Sequence, residues 1–307
     1  MKIVVIGAGA LGSLVGGLLA RSGQAVTLYN SSNHAHILKI RQAGLLLETP
    51  NEKTQIKLDA TTIASELSSY DLAIILVKAY STKNAVNEVS TCLNKSSCVL
   101  SLQNGYGFEE DILKFVSPQI FLRGTTTQGA TLLQPGHVCQ AGRGLTHIGP
   151  WQGEFHPKRE LEKIIEIFNQ AGLETHLADS IRDLVWKKLI VNSAINPLAA
   201  LFAVANGALI ENPDLHQLLN AVTRESIAVA NAMGFSFSHE TLSVQVEDVC
   251  KRTAHNINSM LQDFRQSKPT EIDFINGAIV REAQRLHIAA PLNQLLLNLV
   301  KHNTLKR

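Results

Sequence analysis

Two stretches of this chain carry residue types at spacings that could do chemistry. Residues 186–197, Trp186-Lys187-Lys188-Leu189-Ile190-Val191-Asn192-Ser193-Ala194-Ile195-Asn196-Pro197, read as a helix that is apolar around most of its circumference. Against that background Lys188, Asn192 and Asn196 recur every four residues and stack on one face over two turns. A cation and two amides in so apolar a helix should face something polar and specific, because burying them unpaired is costly. A solvated stripe on a surface helix explains such a row equally well, so the rest of the chain has to decide.

The second stretch is Gly7-Ala8-Gly9-Ala10-Leu11-Gly12. The β-branched run at residues 2–6 predicts a strand buried on both faces, and residues 13–20 predict a helix. Set between strand and helix at the start of the chain, the three glycines have separate purposes. Gly7 permits the tight turn, Gly9 lets the backbone approach a pyrophosphate, and Gly12 lets the helix pack close to the strand. The N–H groups of the helix N-terminus then face the anion. The same apolar run superficially resembles a secretory leader. Gly7, Gly9, Gly12, Gly16 and Gly17 interrupt it, which a strand-turn-helix explains and a secretory core does not. A cytoplasmic protein is expected.

Other elements must position these two stretches, and 307 residues allow two domains with sizeable cores. A composition 45% hydrophobic and 18% charged is that of a globular protein. The net charge of +2 gives no reason to expect nucleic acid or an acidic membrane as partner, and no window has the length of a membrane span. Cys92, Cys98, Cys139 and Cys250 are scattered without a C-x-x-C pair, as expected of reduced thiols. The histidines form no zinc-type cluster, so no metal site is expected.

Buried-strand runs continue at residues 24–29, 71–77 and 99–102, with a weakly alternating hairpin near 44–47 and 54–58. Residues 120–126 and 138–148 are expected to close the sheet with an antiparallel edge, before a helix at 158–169 and a strand at 174–177. Beyond Asp179 helical periodicity takes over, opened by a Ser180–Asp183 capping pair. Helical segments are expected at 214–233, 239–251, 256–266, 271–287 and 291–302, with a second capping pair at Thr270 and Asp273. Pro197 lies inside the long helix or kinks it. The fold expected is α/β: a Rossmann-type doubly wound sheet over residues 1–178, followed by an all-α domain over residues 179–307.

In such sheets ligands collect at the carboxyl ends of strands, so Lys78 and Asn104 point toward the glycine-loop site. A surface lysine and an Asn-Gly turn would also account for them singly. After the second strand, where an acid would bind the ribose 2′-hydroxyl of NAD, the chain has Asn30-Ser31-Ser32-Asn33-His34, with neither acid nor arginine. That is permissive for NADP and argues against NAD. In the helical half Ser259 and Glu271 stand out, although an acid in a first helical turn is ordinarily cap chemistry.

Taken together, these residues resemble the ketopantoate reductase (2-dehydropantoate 2-reductase) family over essentially the full length. The resemblance rests on Gly7 to Gly12, Lys78, Asn104-Gly105, Gly124-Thr125-Thr126-Thr127, the Lys188, Asn192, Asn196-Pro197 row, and Ser259-Met260-Leu261-Gln262-Asp263 leading to Glu271. It implies NADPH-dependent reduction of the 2-oxo group of ketopantoate to pantoate, on the route to pantothenate and coenzyme A. A monomer or homodimer is expected. It implies that Lys188 is the general acid, and that Asn192, Asn196 and Ser259 hold the substrate's hydroxyl and carboxylate. Lys78, Asn104 and Ala130 would touch the cofactor beside the glycine loop, with Asn104 also bordering the substrate. Glu271 would lie close to the cofactor and the reacting groups. This chain departs from many members in lacking an arginine after the second strand.

The chemistry agrees with the residues. Hydride delivered to a carbonyl carbon leaves an alkoxide that must be protonated or stabilised as it forms. A lysine on an apolar helix can do both, and partial burial would bring its pKa toward neutrality. The alternatives are a hydroxy-acid or opine-type dehydrogenase with another substrate, and a non-catalytic NADPH-binding sensor. A sensor has no need of a proton donor at Lys188.

Overall fold

The run Lys-Ile-Val-Val-Ile forms β1 (Lys2–Ile6), and Ile3, Val4, Val5 and Ile6 are all fully buried. The computed structural model describes residues 1–155 and 158–305. Two compact units make up the chain: Met1–Gln103 with Phe108–Leu184, and Asn104–Gly107 with the chain from Val185 on.

In the first unit β1 is followed by α1 (Ala10–Arg21), β2 (Ala25–Tyr29), α2 (His34–Ala43), β3 (Leu45–Glu48), β4 (Lys53–Ile56) and β5 (Asp59–Thr61). Then come β6 (Leu72–Ile75), α3 (Thr82–Glu88), α4 (Ser90–Asn94), β7 (Val99–Ser101) and α5 (Glu109–Leu113). The unit ends with β8 (Phe121–Thr126), β9 (Gly129–Gln134), β10 (His137–Gly142), β11 (Thr146–Pro150), α6 (Lys158–Gln170) and β12 (Thr175–Leu177).

The main sheet has the order β12-β11-β8-β7-β6-β1-β2-β5. Every pairing in it is parallel except β8 with β11. From β1 the chain builds outward first through β2 and then, on the other side, through β6 and β7. That reversal opens a crevice at the carboxyl ends of β1 and β6, where ligands of such sheets bind. The glycine loop leaves β1 there, and Lys78 follows β6.

The closing edge of the sheet departs from expectation. Residues 138–148 do not all close the main sheet. β11 does so, antiparallel to β8, while β10 joins a second sheet ordered β4-β3-β10-β9. The reason is a parallel pairing of β10 with β3, His137 opposite Leu46, which puts Val138 into one core cluster with Leu45, Leu47 and α1. Helix α1 is thus covered on two sides. A Cβ on Gly16 would come within 2.5 Å of Leu28 in the main sheet, and one on Gly17 within 2.9 Å of Leu45 in the second.

His36 fastens this arrangement. It is fully buried, its Nδ1 accepts from Gly136 N at 2.9 Å, and its Nε2 lies 2.8 Å from Ser13 Oγ. Since Nδ1 is an acceptor, Nε2 carries the proton and donates to Ser13. Burial holds the imidazole below its ordinary 6.5. Below that pH the unfolded chain takes up a proton that folded His36 resists, so stability is present above pH 6.5 and falls as pH falls. Urea titrations at pH 7 and 5 should show a smaller loss for His36→Gln than for wild type; equal losses would mean other groups set the acid limb.

The second unit is helical: most of α7 (Ile181–Phe202), then α8 (Ala208–Glu211), α9 (Pro213–Ala232), α10 (His239–Arg252), α11 (Ser259–Arg265), α12 (Asn276–Arg285) and α13 (Pro291–Leu305). Helix α7 is its spine. Trp186, Leu189 and Ile190 pack into one apolar cluster, and Ala194, Ile195, Leu198 and Ala199 into another. The Ser180–Asp183 capping pair forms, with Asp183 N donating to Ser180 Oγ at 3.3 Å. The second one does not: Ile272–Phe274 is a 3-10 turn without a side-chain cap. The Asp273 carboxylate instead pairs with Lys301 at 2.5 Å. Ile275 (φ −109°, ψ −92°) breaks the backbone, so α12 starts at Asn276 and not at Glu271. Among the described residues no helix is long and apolar enough to cross a membrane.

Candidate active site

In the first unit the glycine loop is fixed by the main chain. Gly7 N and Ala8 N both donate to Tyr29 O, at 2.9 and 3.1 Å. Gly7 takes φ +108°, and a Cβ there would lie 2.4 Å from Val77 N, so only glycine fits. A Cβ on Gly12 would fall 2.1 Å from Gly7 O, whereas one on Gly9 would meet no protein atom within 4 Å. Packing therefore requires Gly7 and Gly12 and does not require Gly9. No side chain caps α1, and no acid lies in its first turn. Those are the conditions under which a helix N-terminus accepts an anionic pyrophosphate. Ala8 is buried, and Ala10 and Leu11 are half-buried. Half-buried Ala130 lies on β9, which packs against α1.

Lys78, also half-buried, opens the 3-10 turn after β6. Gln103, two residues beyond β7, holds that turn in place. Its Nε2 donates to Val77 O at 2.9 Å and to Thr82 Oγ1 at 2.7 Å. The main chain of Gln103 is held in turn by Arg123, whose Nη1 donates to Gln103 O at 2.9 Å while Nε pairs with Glu109 at 2.9 Å. Arg123 and Glu109 are buried, so each would strand the other's charge if removed. Beyond β2, Asn30 Oδ1 accepts from Ser32 N and Asn33 N, both at 3.1 Å, which closes the turn there. The Tyr29 hydroxyl donates to Glu88 on α3 at 2.9 Å. Burial, then that carboxylate, push the phenol up to about 12.

The second unit carries Asn104, Lys188, Asn192, Asn196, Ser259 and Glu271. Lys188 and Asn192 are half-buried and Asn196 is buried, on successive turns of α7. The Asn104 loop belongs with these helices. Gly105 takes φ +88° with room for no Cβ, since one would lie 2.6 Å from Phe274 O. Tyr106 N donates to that same carbonyl at 2.9 Å. The Tyr106 ring packs on Trp186 at 5.2 Å, and Trp186 on Phe235 at 5.5 Å. The loop is thereby seated two residues from Lys188 on one side and three from Glu271 on the other. Lys187, by contrast, lays its ammonium over the Phe237 ring at 5.7 Å.

Glu271 is buried, at the start of the 3-10 turn. Ser259 is exposed, at the first position of α11. Its segment is fastened by Asn206, which donates from Nδ2 to Thr253 Oγ1 at 2.9 Å and accepts from Asn258 Nδ2 at 3.2 Å. Asn206, Gln103, Arg123 and Glu109 carried no signal in a sequence-based reading. Each acts on a residue 14 to 52 positions away, and no spacing rule reaches that far.

Comparison with known proteins identifies the family of the chain. A family model described as ketopantoate reductase PanE/ApbA matches residues 3–153, and its C-terminal counterpart matches residues 180–304. A 2-dehydropantoate 2-reductase of Pyrococcus horikoshii is 42% identical over 305 residues, covering 98% of this chain and 97% of that one. One from Vibrio cholerae is 34% identical, covering 98% and 97%. Among solved structures, a PanE/ApbA family ketopantoate reductase from Ralstonia eutropha superimposes with TM-score 0.90 at 31% identity, over 100% of this chain and 99% of the other. A D-mandelate dehydrogenase bound to NADH and anilino(oxo)acetate superimposes with TM-score 0.93 at 27% identity, with the same coverage. Since the family models match both halves, and relatives align from end to end, the chain belongs to the ketopantoate reductase family.

Proposed function

We propose that this chain reduces the 2-oxo group of 2-dehydropantoate to pantoate with NADPH, as a cytoplasmic enzyme of pantothenate and coenzyme A synthesis. The observation that carries the proposal is the Lys188, Asn192, Asn196 row of α7 with the Asn104 loop seated between Trp186 and Phe274. When bound, the cofactor supplies a hydride. The glycine loop, Lys78 and Ala130 would hold it. Asn192, Asn196 and Ser259 offer neutral donors and acceptors to the substrate's hydroxyl and carboxylate, which orient it without trapping it. Lys188 gives a proton to the alkoxide oxygen as charge develops there. Purified protein with NADPH and 2-dehydropantoate should yield pantoate, identified by mass, in amounts equal to the NADPH consumed. Absence of pantoate would overturn the proposal.

The D-mandelate dehydrogenase at TM-score 0.93 is the observation behind a second reading, a 2-hydroxy-acid dehydrogenase with another side chain on its substrate. Its NADH also bears on the cofactor. With neither acid nor arginine at Asn30 to Asn33, NADPH should be preferred over NADH, but by less than in members with the arginine. The ratio of kcat/KM for the two cofactors measures this; equal or better use of NADH would contradict it. Ser31→Arg should widen the ratio by adding a cation for the 2′-phosphate.

A further inference from the structure

Helix α7 runs through Pro197 without interruption. Proline has no N–H, so the carbonyl four residues earlier, that of Ser193, loses its helical donor. Ser193 is fully buried, so water does not readily replace that donor. A side chain 83 residues further on does: Asn276 Nδ2 donates to Ser193 O at 3.0 Å. The second proton of the same amide goes to Asn293 Oδ1 at 2.9 Å. Asn293 is anchored by Glu225 at 2.8 Å and Ser226 at 3.2 Å, and Glu225 also accepts the N–H groups of Leu292 and Asn293 at the start of α13. Asn276 is fully buried, and its Oδ1 has no hydrogen-bond partner among the described residues. The residue is therefore placed for its two donors, and its own carbonyl is left unsatisfied to keep them there.

We propose that Asn276 is a positioning residue for substrate binding. It returns to α7 the proton that Pro197 withholds, and so fixes the turn that presents Asn192 and Asn196. Ser193 lies between those two amides, and a drift of its turn moves both. An alanine at position 197 would satisfy Ser193 locally. The chain instead spends a long-range bond that ties α7 to α12, five residues after Glu271. The proposal rests on the 2-dehydropantoate reductase reading, because it assigns Asn192 and Asn196 to substrate.

A four-protein cycle of wild type, Pro197→Ala, Asn276→Leu and the double variant tests it. Asn276→Leu should raise KM for 2-dehydropantoate by about tenfold or more, the scale of one lost binding hydrogen bond. NADPH affinity, read by fluorescence titration, should move by less than about twofold. In the Pro197→Ala background the main chain donates to Ser193 O again, so the double variant should lie within about threefold of Pro197→Ala in KM. Rescue of KM separates positioning from packing, because Pro197→Ala cannot repair the lost bond to Asn293. A wild-type KM in Asn276→Leu, or a double variant no better than Asn276→Leu, would overturn the proposal. So would failure of both Asn276 variants to fold, which would place the residue's role in the Asn293–Glu225 network. Thermal unfolding carries the same cycle without substrate: Asn276→Leu should lower Tm more in the wild-type background than in the Pro197→Ala background. Coupling in Tm without coupling in KM would make the bond merely structural. An inactive wild type would instead overturn the reductase reading, with the Tm cycle still reporting on the bond.

Discussion

Lys188→Ala is expected to lower kcat with 2-dehydropantoate by roughly a hundredfold or more, the scale of a positioned general acid. NADPH binding should stay almost unchanged, because the site proposed for the dinucleotide at the glycine loop relies on main-chain donors. Lys187→Ala is the internal control. It removes the same charge one residue away, but the Lys187 ammonium sits over Phe237, so turnover should stay near wild type. If Lys188→Ala kept near wild-type kcat, the polar row would be structural and the assignment wrong.

Gly9→Ala and Gly12→Ala should part company by a comparable margin. Gly9 has φ −87° and room around it, so Gly9→Ala should leave Tm within about a degree of wild type. It should nevertheless weaken NADPH binding by about tenfold or more, because the methyl group stands where the backbone must approach the pyrophosphate. Gly12→Ala sets a Cβ 2.1 Å from Gly7 O, backbone against backbone. It should cost roughly 1–3 kcal/mol of stability, visible as a lower Tm. Unchanged NADPH titration in Gly9→Ala would remove the loop from the cofactor site. Equal Tm losses in the two variants would mean that Gly9, too, serves packing.

The parts of the fold that could be read from sequence are those whose signal is local. β1 and β6 are short apolar runs because both their faces are buried, and the glycine loop is punctuated at fixed offsets between β1 and α1. The polar row of α7 could be read because a four-residue spacing on a helix is itself a geometric statement. The second sheet could not be placed, because β10 pairs with β3, some ninety residues earlier, and β9 has only half-buried and exposed positions. The start of α12 was misplaced because Ile272–Phe274 has helical spacing, while the break at Ile275 arises from its backbone angles. Asn276 was invisible for a related reason. Pro197 announces a missing donor, but nothing near it in sequence says which side chain supplies the replacement.

The central claim concerns the substrate, and a comparison of kcat/KM for three 2-oxo acids with NADPH tests it most directly. The three are 2-dehydropantoate, 3-methyl-2-oxobutanoate, which lacks its hydroxymethyl group, and phenylglyoxylate, the oxo acid of mandelate. A site that binds the substrate's hydroxyl through amides closed off from water by the bound substrate rejects an analogue without it, since those amides are then left unpaired. 2-Dehydropantoate should exceed both of the others by about a hundredfold or more. Phenylglyoxylate or 3-methyl-2-oxobutanoate turned over as well as 2-dehydropantoate would contradict the assignment and make this chain a 2-hydroxy-acid dehydrogenase of another specificity.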